Sequence, residues 1–148
     1  MNYYIVSFIL LFLTVFLSNK HIDLKKDSEW YQCIRPKITP PNWVFGFVWS
    51  ILYILLFFAL TKVLKTGNQF IISLFVINLF LQVLWSYSFF NIKRLDSAFL
   101  IIQFLILTTT IIIMYSSNEV RYLLYPYLGW LTYAITINIL AVRQQEVC

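Results

Sequence analysis

The sequence predicts an all-α integral membrane protein, a bundle of five transmembrane helices forming a single domain over residues 1–148. Three observations lead there. Of the 148 residues, 61% are hydrophobic and only 11% are charged, against roughly 25% charged in an ordinary soluble domain. A water-soluble fold of this size could not hide so much apolar surface. The apolar residues also fall into five runs separated by polar segments. A span needs about 20 mostly apolar residues, each adding about 1.5 Å across a hydrocarbon core of about 30 Å, so the length allows about five spans and little else.

The first run, about residues 3–18, is broken only by Ser7 and Thr14. It is read as a retained helix rather than a cleaved leader, because no basic residue precedes it and no small-residue cleavage pattern follows. Residues 19–42 carry Lys20, Asp23, Lys25, Lys26, Asp27, Glu29, Arg35 and Lys37 with Pro36, Pro40 and Pro41, and read as a long aqueous loop with room for a short helix. Span two, about 43–61, opens behind that proline pair with Asn42 as its expected N-cap. The turn Thr66-Gly67-Asn68 leads to span three, about 70–90, and Lys93-Arg94-Leu95-Asp96 connects it to span four, about 97–115. Ser116-Ser117-Asn118-Glu119 closes that helix. Span five, about 122–142, is expected to carry Pro126 in its first turn, where a missing amide proton costs little.

The net charge of +5 does not point to nucleic acid, because the basic residues cap hydrophobic runs instead of forming a stripe interleaved with exposed aromatics. They point to the lipid bilayer and to topology. Eight (Lys20, Lys25, Lys26, Arg35, Lys37, Lys93, Arg94, Arg143) fall with the first loop, third loop and C-terminus, and three (Lys62, Lys65, Arg121) opposite. The positive-inside rule then puts the N-terminus outside and the first loop and C-terminus in the cytoplasm. Cys33 and Cys148 would both face a reducing compartment, so free thiols are expected. Neither cysteine has ligand-like spacing, and His21, alone in a charged loop, reads as a solvated side chain. No metal site is expected.

None of the eleven basic and six acidic residues lies well inside a span, which argues against an ion-coupled pump or proton relay. No nucleophile–base pair, phosphate loop or carboxylate pair supports hydrolytic or phosphoryl-transfer chemistry. The intramembrane polar residues are neutral and regularly spaced. Asn78, Gln82, Trp85 and Phe89 recur at i, i+4, i+7 and i+11, and Tyr127, Trp130, Ala134 and Asn138 at i, i+3, i+7 and i+11, so each set shares a helix face. Trp49 and Tyr53 form a one-turn pair in span two, with Trp43 and Phe47 nearer the loop. Two readings stand side by side. The amides join helices and Trp43 belongs to an interfacial aromatic belt, or the aromatic faces and amides enclose a flat, largely apolar ligand.

Trp30-Tyr31, Arg35-Pro36, Thr39-Pro40-Pro41, Trp43, Phe45-Gly46 and Val48-Trp49 together resemble the first-loop and second-helix signature of the TspO/MBR family. Leu84-Trp85-Ser86 with Phe89-Phe90 resembles its third helix, and the run Leu123 to Trp130 with Asn138 its fifth. The resemblance implies five tightly packed helices, often as a homodimer, around a cavity open toward the first loop. That cavity would bind porphyrins such as protoporphyrin IX or haem as ligand, with no cofactor required. By position, Trp49 and Trp130 match the tryptophans that some bacterial relatives use in light-dependent porphyrin degradation, and Ala134 a small residue lining the ligand site. Pro40, Pro41, Trp43, Tyr53 and Trp85 match loop or pocket positions. Ile38, Phe47 and Gln82 depart from the pattern, and Ile139 replaces a tyrosine of the sterol-recognition motif of animal members, which argues against sterol binding through it. No G-x-x-x-G pattern marks a dimer interface.

Three functions follow in order of support. The first is tetrapyrrole binding by a sensor, scavenger or carrier; the second is carriage or scaffolding, including of other hydrophobic molecules; the third is porphyrin photo-oxidation through Trp49 and Trp130.

Overall fold

The chain's structure, a computed structural model, describes residues 1–20, 22 and 28–148. His21 and residues 23–27, with Lys25 and Lys26 of the topology count, lie outside the described residues. The helices are α1 (Tyr3–Asn19), α2 (Ser28–Ile34), α3 (Asn42–Thr66), α4 (Gln69–Ser86), α5 (Leu95–Tyr115) and α6 (Asn118–Gln145), with a π-helical turn at Tyr87–Asn91 continuing α4. The five long helices alternate in direction, and α2 lies across the loop end.

Local chemistry sets most boundaries. Asn2 caps α1, its Oδ1 accepting from the amides of Tyr4 and Ile5 at 3.1 and 3.4 Å. Asn68 does the same for α4 through Phe70 and Ile71 at 3.1 and 3.3 Å. Between α3 and α4, Gly67 takes the left-handed conformation with φ 68°, which glycine adopts without a Cβ penalty. Two expectations are corrected. Asn42 is the first residue of α3 rather than its cap; Pro41 occupies the cap position and makes no side-chain cap bond. Pro126 lies about two turns inside α6, because that helix starts earlier than its apolar pattern. The early start is held by charge: Lys62 Nζ meets Glu119 Oε2 at 2.6 Å, and Arg121 donates to the carbonyls of Ser116 and Met114 at the end of α5. A proline inside a membrane helix is tolerated where neighbours satisfy the freed carbonyl.

The helices close into a ring in the order α1, α4, α5, α6, α3, with α3 returning to α1 and α2 resting on α6. Four of them are long and apolar enough to cross a bilayer, with mean hydropathy of 1.3 to 2.3 over their most apolar windows. Only 22% to 39% of those windows is buried, so most of the apolar surface faces outward, as lipid requires. The 17-residue α1 spans about 26 Å, and it belongs to the same wall. It presents Ile5, Phe8, Phe12 and Phe16 outward and turns Ser7 and Ser18 inward, where Ser7 Oγ accepts from Thr61 Oγ1 at 2.9 Å and the Ser18 carbonyl from Ser86 Oγ at 2.7 Å. The half of the bundle away from α2 is filled by Leu56, Leu60, Val63, Ile71, Phe75, Ile112 and Leu124. At the loop end a smaller cluster joins Ile34, Phe89, Leu95, Ala98 and Ala141.

The cysteines overturn the free-thiol expectation. Cys33 and Cys148 are disulfide-bonded, with Cα atoms 6.1 Å apart. Their 115-residue separation hides the proximity, which arises because α2 lies on α6 and a turn after Gln145, with the Cys148 amide on the Gln145 carbonyl, folds the chain back. Protein prepared without reductant and denatured in detergent should therefore take up no maleimide until it is reduced. Cys33→Ser should unmask one reactive thiol at Cys148, whereas two reactive thiols in the unreduced wild type would refute the pairing.

Candidate functional site: a tryptophan-walled cavity under the first loop

All five long helices and α2 contribute to a cavity of about 450 Å³ in the loop half of the bundle, within the range of about 300–1,000 Å³ typical of small-molecule pockets. One wall comes from α3 and α6. Trp49 meets Trp130 edge-on at 6.5 Å and lies 5.4 Å from Tyr53, while Phe45 closes on Trp130 edge-on at 5.6 Å. Ala134, one turn beyond Trp130, lines the same wall, and its small side chain leaves space that a larger residue would fill.

The facing wall comes from the end of α4. Trp85 Nε1 donates to Asn138 Oδ1 at 3.0 Å, and Asn138 Nδ2 donates to the Leu95 carbonyl at 3.0 Å. The indole is thus fixed by an amide that is itself fixed. Phe89 packs 5.1 Å from Trp85 and meets Trp30 of α2 at 6.3 Å. The π-helical turn places Phe89 and Phe90 side by side at 4.8 Å, both lining the cavity. Adding a residue to a turn re-aims the side chains beyond it, and such turns gather at functional sites.

The floor is polar. Tyr53 Oη donates to Gln82 Oε1 at 3.3 Å, Gln82 Nε2 to Tyr127 Oη at 2.7 Å, and Tyr127 Oη to Asn78 Oδ1 at 2.7 Å. Asn78 Nδ2 then donates to Thr108 Oγ1 at 2.7 Å and Thr109 Oγ1 at 2.9 Å. Gln82 and Tyr53 face the cavity, whereas Asn78 and Tyr127 stand behind it. The amides thus join helices, and Gln82 and Asn138 also line the cavity.

Of the thirteen residues singled out in the sequence, Trp49, Tyr53, Gln82, Trp85, Phe89, Trp130, Ala134 and Asn138 line the cavity. Asn78 and Tyr127 support it from behind. Pro40 contributes a carbonyl to the loop, Pro41 is exposed, and Trp43 is 73% exposed on the outer face, where an interfacial belt would place it. The sequence reading missed the cover. Tyr31, Ile34, Arg35 and Pro36 line the cavity from α2 and the loop, and Val15 and Ser18 from α1. Arg35 Nη2 reaches the carbonyls of Thr39 at 3.5 Å and Pro40 at 2.7 Å, closing the loop on itself. The Tyr133 hydroxyl donates to the Ile38 carbonyl and fastens the loop to α6. Burial raises the Tyr31 hydroxyl above its ordinary pKa against a smaller opposing pull from Arg35, so Tyr31 stays neutral. Among the described residues, Arg35 is the one charged side chain on the lining.

Residues 5–143, which include every wall of this cavity, match the TspO/MBR family. The chain belongs to the TspO/MBR family. It is similar to the tryptophan-rich protein TspO of Archaeoglobus fulgidus, 30% identical over 90% of this chain and 92% of the relative. The TspO of Chlorobaculum tepidum is 36% identical over 76% and 78%, and the tryptophan-rich sensory protein of Cereibacter sphaeroides 30% identical over 81% and 79%. Within this TspO/MBR chain the Gln82 amide bridges Tyr53 and Tyr127 at once.

The floor predicts an ordering of stabilities. Asn78→Ala removes the side-chain bonds from α4 to Thr108 and Thr109 and one of its two bonds to Tyr127, and should cost about 1–3 kcal/mol. Tyr127→Phe should cost less, and Gln103→Ala, whose exposed amide bonds only its own helix, within about 0.5 kcal/mol. Thermal unfolding in one detergent tests this; equal midpoints for Asn78→Ala and Gln103→Ala would contradict it.

Proposed function

We propose that this chain binds a flat, largely apolar ligand of the porphyrin or tetrapyrrole class between the Trp49–Trp130 wall and the Trp85–Phe89 wall, and acts with it as sensor, scavenger or carrier. The observation that carries this reading is the pairing of two indole-bearing walls across one cavity with neutral amides, Gln82 and Asn138, at its edge. Indole faces stack on a macrocycle, each aromatic contact worth about 0.5–1.5 kcal/mol beyond its burial, and the amides orient it without the desolvation cost of a buried charge. The name of the Cereibacter sphaeroides relative, a sensory protein, agrees with a binding role.

Titration of the purified protein with protoporphyrin IX should quench its tryptophan fluorescence and shift the porphyrin absorption band. Trp49→Ala and Trp130→Ala should each weaken binding by roughly 5- to 30-fold. Unchanged affinity in both variants would remove the site. Illuminating the same samples addresses the second reading, oxidation of the porphyrin by dioxygen, which the adjacency of Trp49 and Trp130 favours. Loss of absorbance should then be slower in a Trp49→Phe/Trp130→Phe double variant, and equal rates would exclude a role for the pair.

We also propose the orientation that the charges favour, with the N-terminus outside and the first loop and C-terminus in the cytoplasm; the Cys33–Cys148 bond weighs against it, because disulfides persist in oxidising compartments. In a Cys33→Ser/Cys148→Ser background, Lys65→Cys should react with a membrane-impermeant maleimide applied to intact cells, and Lys37→Cys should not. The opposite pattern would overturn the orientation and would put the Cys33–Cys148 bond in the oxidising compartment that such bonds ordinarily occupy.

A further inference from the structure

Arg35 is an unusual group to find on an apolar cavity. One of its terminal nitrogens is spent on the carbonyls of Thr39 and Pro40, which fixes the guanidinium in place. One face of the group lies toward the Tyr31 ring, 5.9 Å from the centroid. The Nε–H and the two N–H bonds of the other terminal nitrogen have no acceptor among the described residues. Nor does any carboxylate among them pair with Arg35: Asp96 is within ion-pair distance of Arg94, and Glu119 of Lys62. The side chain is half-buried and borders the cavity. A partly desolvated guanidinium with three donors unspent is matched by an anion that takes a charge-assisted hydrogen bond from one of them.

We propose that Arg35 is the anion-anchoring residue of the cavity and that its preferred occupant carries a carboxylate on the edge facing the first loop. This rests on the ligand reading above and narrows it. A guest would lie with its apolar plane between the tryptophan walls and its acidic edge at the rim, where the guanidinium holds it. Neutral flat molecules of the same shape, and sterols, lack the group that Arg35 selects and bind more weakly. The apolar walls strengthen the pairing by keeping water and its screening from one side of it.

The test crosses ligand charge with residue charge, using protoporphyrin IX and its dimethyl ester in the same nanodiscs. Wild-type protein should bind the acid roughly 10- to 100-fold more tightly than the ester. Arg35→Gln should abolish that preference by weakening the acid alone, and Arg35→Lys should keep part of it. The ratio of acid to ester affinity, compared between wild type and variant, cancels any difference in how the two ligands partition into lipid. Equal binding of acid and ester by the wild type would overturn the proposal. So would an Arg35→Gln variant that weakens both alike, since that is the result of losing only the brace to Thr39 and Pro40. Failure of the wild type to bind either compound would instead defeat the tetrapyrrole reading beneath it, and the anchor with it.

Discussion

The bundle depends on a chain of hydrogen bonds that crosses it at the level where the cavity ends. In lipid, helices gain nothing from burying leucine against leucine, because the acyl chains are as apolar as the leucine was. Packing and polar contacts must hold them together. Tyr53 of α3, Gln82 and Asn78 of α4, Tyr127 of α6, and Thr108 and Thr109 of α5 satisfy one another in sequence. Four helices are thereby tied at one depth, with α1 joined through Ser7 and Ser18. Each bond is modest, and in a medium without water the unpaired alternative is costly, so the chain selects one rotation of every helix about its own axis.

Fixing those rotations divides the molecule in two. Away from the loop, aliphatic side chains and Phe75 fill the space between helices. Toward the loop, the same faces carry rings that cannot fill it. Trp49 and Trp130 meet edge to plane, and the π-helical turn presents Phe89 and Phe90 to the opposite side. Small residues at Ala134 and Ala141 remove bulk from the face of α6 that lies between the two walls. The cavity is thus a consequence of where the aromatic and small residues stop and the aliphatic ones begin along each helix.

That division was legible in the sequence to the extent that it follows helical periodicity. The stripe of Asn78, Gln82, Trp85 and Phe89 and the stripe of Trp130, Ala134 and Asn138 could be drawn without coordinates, because residues three, four, seven and eleven apart share a face. Hydrophobic runs likewise located the five long helices, and Gly67 their sharpest turn. Contacts between residues remote in sequence were not legible. Nothing in the pattern pairs Cys33 with Cys148, returns Arg35 to the carbonyls of Thr39 and Pro40, or starts α6 at Asn118. The last depends on a lysine in α3 meeting a glutamate whose polarity had marked it as loop. Asn42 failed for a related reason: two Asn residues do cap helices here, but the proline before Asn42 already supplies the extended backbone that a cap position needs.

The polar groups around the cavity are graded by depth, and the grading is the strongest constraint on what can sit inside. Deep in the membrane the groups are neutral and paired with one another, which avoids the several kcal/mol that an ionised side chain would cost there. At the loop end, where water is near, a guanidinium is tolerated, 5.9 Å from the centroid of the Tyr31 ring. A guest apolar along its whole length would match the walls and leave Arg35 facing an empty partner position. A guest charged along its length would strand anions against indole and phenyl rings. The occupant proposed above, apolar in its body and acidic at one end, would meet both halves of the gradient. The cover that brings Arg35 to the rim is held by Tyr133 and by Cys148, both from α6 or its extension. The helix that supplies one tryptophan wall therefore also fixes the distance between that wall and the charge.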